Sequence, residues 1–171
     1  MGLLDRGWEA LAAMAAEEFP DITLGRGVEL RLDIPEPDLA DPRLRLAGTS
    51  AALVEFDGFA IPLRAEAVLA GIADDGWTPV LAHPERYRGA SIDRLRPLLH
   101  AGALFQVNAG SLLGRYGPEP RSLAWRLLDE SMVAVIASDY HGHREPMVAG
   151  ARAAVTDRMG EGAARLLFLA N

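Results

Sequence analysis

Residues 78–108, TPVLAHPERYRGASIDRLRPLLHAGALFQVN, hold the unit from which the rest of the chain can be read. Thr78–Ala82 and Leu104–Asn108 are short apolar runs of strand length, and Ile92–His100 between them reads as a helix closed by Gly102. Two strands joined through a helix form a right-handed crossover unit and run parallel. The same alternation continues outward. Toward the N-terminus, Arg64–Asp75 reads as a helix closed by Gly76, and Ala51–Phe56 as a strand. Ile22–Asp33 reads as a further strand, with Val28, Leu30 and Leu32 alternating against Glu29, Arg31 and Asp33. The loop IPEPDLADPR, residues 34–43, carries three prolines that forbid regular pairing. Trp8, Leu11, Ala12 and Met14 follow helical spacing, in a helix that ends before Pro20. Toward the C-terminus come a helix at Ser122–Glu130, a strand at Met132–Ala137 and helices from Pro146 onward. The expected fold is α/β, one domain over residues 1–171 with a parallel sheet. Five strands are too few for the usual closed barrel of about eight, so a partial or distorted barrel, or an open sheet, is expected.

Composition narrows the function. A net charge of −7 and a sequence pI near 5.1 repel a phosphate backbone at long range, which disfavours a general nucleic-acid binder. With no cysteine, disulfides and thiolate metal sites are excluded, and any metal must be held by His, Asp or Glu. All 17 basic residues are arginine, which we ascribe to genome composition. The opening MGLLDRGWEALAAMAAEEFP is acidic and helically spaced, unlike a signal peptide, and no apolar run approaches the roughly 20 residues of a membrane span. The expected location is the cytoplasm.

Polar groups at the carboxyl ends of parallel strands point into the usual active-site crevice. Ser138-Asp139-Tyr140-His141 follows the apolar run MVAVIA. In an extended segment, Asp139 and His141 project to one side and could grip one metal cluster. Alternatively, Asp139 caps the next helix and His141 is solvated. His83-Pro84-Glu85-Arg86 follows TPVLA in the same way. Proline holds a turn after His83, and Arg86, one turn on, could hold two phosphate oxygens through its planar guanidinium. Equally, His83 could bond a neighbouring backbone, and Arg86 could pair with Glu85 or another acid. Glu29 is a further candidate ligand, or else a solvated strand residue paired with Arg31. Gln106 and Asn108 place amides at a strand end, where they could bind substrate oxygens. Asn108 could instead begin a turn, with Ser111 capping a short helix. His100 in a last helical turn suits the helix dipole. Arg144 could contact phosphate, and His143 is undecided. Glycosidase-type carboxylate pairs, an ordered Ser or Cys nucleophile and a glycine-rich phosphate loop are absent as motifs.

Taken in order, GVELRLD (27–33), ALVEF (52–56), LAHPERYR (81–88), FQVNAGSLLGRYG (105–117) and VIASDYHG (135–142) resemble the motifs of PHP-type bacterial protein-tyrosine phosphatases acting on capsule and exopolysaccharide assembly kinases. The resemblance runs from about residue 20 to about residue 145. It implies a distorted (β/α) TIM-like barrel with a metal cluster at its carboxyl-end face. Glu29 would be a bridging carboxylate, and His83, Asp139 and His141 further metal ligands. Arg86 would be the phosphate-holding catalytic arginine, with Arg144 as the second, closer to the last His than the family pattern has it. Asn108 joins these as a substrate-binding candidate. Manganese is the first choice of metal, with Mg, Fe or Zn as alternatives. The family pattern begins with a His-x-His strand, whereas here none of the four histidines precedes His83. A domain shortened at its N-terminus is therefore expected, with an exposed sheet edge through which a homo-oligomer could form. The expected activity is metal-dependent phosphomonoester hydrolysis, with a phosphotyrosine protein, a membrane-associated assembly kinase, as substrate. The alternatives are a PHP phosphoesterase for a small phosphorylated metabolite and a non-catalytic interaction domain.

Overall fold

The computed structural model describes residues 2–33, 39–142 and 147–169. In chain order the elements are α1 (Leu3–Glu18), β1 (Glu29–Leu32), β2 (Ala51–Phe56), α2 (Ala65–Asp74), β3 (Thr78–Ala82), α3 (Ile92–His100), β4 (Leu104–Asn108), α4 (Ala109–Leu112), α5 (Pro118–Asp129), β5 (Val135–Ala137), α6 (Val148–Met159) and α7 (Glu161–Leu169). The strands form one sheet in the order β1-β2-β3-β4-β5, and every neighbouring pair is parallel. Each strand thus pairs with the next in sequence. Right-handed crossovers then put the connecting helices on one face, as in consecutive barrel strands and unlike a doubly wound sheet, whose order reverses. Among the described residues β1 and β5 are the sheet edges, so the expected parallel α/β fold is present as an arc of five strands.

Period two sorts the strand residues. Ala52, Val54, Phe56, Leu81, Phe105, Val107 and Ile136 join Leu69, Leu95, Leu127 and Val155 of the helices in one buried cluster. The alternate side chains, Glu55, Ala82, Gln106 and Asn108 among them, point away from that helix layer. Phe105 has no solvent exposure, and Phe105→Ala is expected to cost about 3–5 kcal/mol, read from the urea midpoint at unchanged slope.

Where boundaries differ from the sequence reading, local hydrogen bonding explains it. The strand expected from Ile22 is paired only from Glu29, because the preceding residues run against the loop before β2, where the Ala47 N–H donates to the Arg26 carbonyl at 2.6 Å. Only glycine fits there, since a Cβ on Gly25 would lie 2.6 Å from that of Ala47. The strand expected from Met132 begins at Val135, because the Met132 N–H is used to close α5 on the Leu127 carbonyl. The helix expected from Ser122 starts at Pro118, since the first turn tolerates proline. Gly102 closes α3 as expected, with φ of 93°. The proline loop is described from residue 39, with a 3-10 turn at Pro42–Leu44. Among the described residues, no helix is long and apolar enough to cross a membrane.

Candidate metal and phosphate site

Three neighbouring strands each bring one ligand-type side chain to one place. Glu29 opens β1, Glu55 lies near the end of β2, and His83 follows β3 directly. His83 Nε2 is 3.3 Å from Glu29 Oε1 and 3.8 Å from Glu55 Oε2, and one donor atom from each residue lies within 4.8 Å of the others. The imidazole is buried, Glu55 is half-buried and Glu29 is exposed, so the group has a dry side and an open one. Two carboxylates converging on an imidazole repel one another unless a cation lies between them, and oxygen plus imidazole donors suit a divalent ion such as Mn, Mg, Fe or Zn. The arrangement therefore fits a metal centre.

The backbone sets the histidine in place. His83 has φ 36° and ψ 52°, a left-handed conformation uncommon for a residue with a side chain, and it leads into the Pro84–Arg86 turn, where the Arg86 N–H bonds the His83 carbonyl at 2.9 Å. Phe59 and Tyr87 flank the ring, at centroid distances of 5.4 and 6.1 Å. Burial raises the Tyr87 phenol above its usual range, although its oxygen accepts the Phe56 N–H at 2.8 Å.

A second cluster adjoins the first through Phe59. The Arg86 guanidinium lies 4.7 Å from the Phe59 centroid and 4.3 Å from that of Tyr116, so it is held between two rings. Its Nη1 donates to Asp139 Oδ2 at 2.9 Å, and the same oxygen accepts from Asn108 Nδ2 at 2.7 Å. Gln106 Nε2 donates to Asn108 Oδ1 at 2.8 Å, which fixes the amide. Beneath them Glu85 Oε1 accepts from Ser111 Oγ at 2.6 Å and from the Asn108 N–H at 3.1 Å, while burial pushes its carboxyl up from the usual range. Bonded once to Asp139, Arg86 keeps other N–H donors for an anion.

The site residues named from sequence thus fall into two neighbouring groups. Glu29 and His83 meet, together with Glu55, which the sequence reading missed. Asp139 and His141 are not in that three-donor group. Asp139 accepts from Arg86 and Asn108, and the exposed His141 ring has Nδ1 2.9 Å from the Asp139 carbonyl oxygen and 3.5 Å from its Oδ1. An extended run from Asp139 to His141 is not what forms, because Asp139 has φ of 49°. Arg86 pairs with Asp139, not with Glu85, and Ser111 bonds Glu85. Arg144 and His143 lie outside the described residues. Glu55 left a signal in ALVEF, where a carboxylate stands on the opposite side of the strand from the buried Val54 and Phe56.

A sequence model of the capsular polysaccharide synthesis family CpsB/CapC matches residues 4–171. The chain belongs to this family. Relatives of this chain include the putative tyrosine-protein phosphatase CapC of Staphylococcus aureus, 36% identical over 91 residues, which cover 52% of this chain and 36% of the relative. Tyrosine-protein phosphatase YwqE of Bacillus subtilis is 35% identical over 109 residues, covering 62% of this chain and 43% of its own. Among solved structures, those of YwqE from Bacillus subtilis and CpsB from Streptococcus pneumoniae, described as unique metal-dependent tyrosine phosphatases, give a match with a TM-score of 0.76 and 26% identity. It covers 93% of this chain and 70% of the matched one. The chain spans between about a third and a half of the length of these curated relatives.

Proposed function

We propose that this chain is a metal-dependent phosphomonoesterase acting on phosphotyrosine in a protein of capsular or exopolysaccharide synthesis. The observation that carries the reading is the Glu29, Glu55 and His83 group beside an arginine held between two aromatic rings. Glu29, Glu55 and His83 would hold the cation, with Mn as first choice. A divalent ion bound there supplies Lewis acidity and charge neutralisation for hydrolysis. Arg86 binds the phosphoryl oxygens and stabilises charge developing on them. Asp139 and Asn108 keep the guanidinium aimed, and His141, whose Nδ1 is 3.5 Å from Asp139 Oδ1, completes the group that would serve the reacting phosphate. Arg144 remains the second phosphate-holding candidate on family resemblance. With no cysteine in the chain, no phosphocysteine can form.

The names of the relatives support phosphotyrosine as the substrate class and capsule synthesis as its setting. A membrane-associated assembly kinase met from the cytoplasm is the specific partner we propose, and a homo-oligomer through a sheet edge is a proposal of the same standing. The test is phosphate release from a phosphotyrosine peptide and from a sugar phosphate, before and after dialysis against EDTA. The expected result is peptide preference, loss of at least about 90% of activity on chelation and recovery with Mn. Activity indifferent to chelation contradicts the metal role, and preference for the sugar phosphate contradicts the substrate class.

A further inference from the structure

Next to Arg86 the chain folds a basic groove that the hydrolytic reading does not use. A cavity of about 510 Å³ lies between the turn after β3 and the start of α5, with Arg86, Arg88 and Arg126 in its wall. It shares Pro118, Ser122 and Arg126 with a neighbouring hollow that adds Arg121. The Arg88, Arg121 and Arg126 side chains have no ion pair or hydrogen bond among the described residues, whereas Arg158 nearby is taken up by Asp129 and stacks on Trp125. Two carboxyl groups also line the first cavity. Glu119 is exposed, and Glu85 turns inward to Ser111 and Asn108. Two uncommitted guanidinium groups, Arg88 and Arg126, therefore line this groove, with Arg121 in the adjoining hollow, in a chain whose net charge is −7. An acidic partner is repelled by the net charge of the molecule and attracted by the local charge of this groove.

We propose that this groove is a subsite for acidic side chains flanking the phosphotyrosine of the substrate, with Arg88 and Arg126 as specificity-determining residues. The inference rests on the proposed function in one respect, that Arg86 marks where the phosphoryl group sits. From there the groove follows α5 for roughly two turns, about 11 Å, which an extended peptide covers in about three or four residues. Carboxylates two to four positions from the tyrosine fall within reach of Arg88 and Arg126. The planar guanidinium suits them, and a long polyanion such as a nucleic acid meets the acidic remainder of the surface.

The test uses four peptides and a binding readout, fluorescence anisotropy at low salt. The centre is either a non-hydrolysable phosphonate analogue of phosphotyrosine or phenylalanine, and the flanks are either Glu and Asp or Gln and Asn. The effect of the centre tests the placement of phosphate at Arg86; the effect of the flanks tests the subsite alone. Acidic flanks are expected to tighten binding about tenfold with either centre, and the gain to fade as salt is raised. The double variant Arg88→Gln/Arg126→Gln loses the flank effect and keeps the centre effect, while Arg88→Lys/Arg126→Lys retains a preference for acid. Equal affinity for both flanks in the unaltered protein, or a preference that survives the Gln double variant, overturns the proposal whatever the centre does.

Discussion

Glu55→Gln is expected to weaken divalent-metal binding by about a hundredfold or more and to lower phosphotyrosine hydrolysis by about 10²–10³. The side chain offers one of three ligand atoms within 4.8 Å of one another, and a neutral amide replaces a charged donor with little change of shape. The metal-free protein should behave differently. Without a cation, Glu55 and Glu29 repel across a short gap, so its removal relieves a like-charge contact and the melting temperature of the apo protein should hold or rise. Titration calorimetry with Mn and thermal melts with and without metal separate the two effects. A variant equally destabilised in both states, with metal affinity unchanged, would make Glu55 an ordinary strand residue.

Arg86→Ala is the second large effect, an expected loss of about 10²–10³ in kcat/KM. The guanidinium is half-buried between Phe59 and Tyr116 and bonded to Asp139. Its loss leaves Asp139, whose side chain is only 10% exposed, without its cation, so a stability cost of about 1–3 kcal/mol accompanies the loss of activity. The double variant Arg86→Ala/Asp139→Ala resolves the ambiguity. Removing both partners should return most of the stability and none of the activity, whereas a structural arginine would let both recover. Arg86→Lys keeps the charge and loses the planar fork, and it should fall well below the unaltered protein in kcat/KM.

The five strands, their parallel sense and the positions of His83 and Arg86 at the end of β3 could be read from apolar runs, because a buried parallel strand leaves a composition signal that does not depend on its neighbours. Glu55 could not be assigned in the same way. Its role depends on register, with Val54 level with Leu81 on one side and Glu55 level with Arg31 on the other, and pairing is a tertiary choice. For Asp139 the sequence shows the position at a strand end but not the backbone conformation. Spacing two apart suggests a shared direction with His141, but the left-handed backbone at Asp139 turns the segment, and its carboxylate meets an arginine 53 residues away. The stacking of Phe59, Arg86 and Tyr116 joins three separate segments, a contact that no local pattern announces.

The convergence of Glu29, Glu55 and His83 on one cation is the claim on which the rest stands. Crystals grown with Mn and measured at its absorption edge address it directly. An anomalous peak within about 2.0–2.3 Å of His83 Nε2 and of an oxygen from each of Glu29 and Glu55 is the expected result. A peak found only at Asp139 and His141, or no peak near His83 at millimolar Mn, would contradict it.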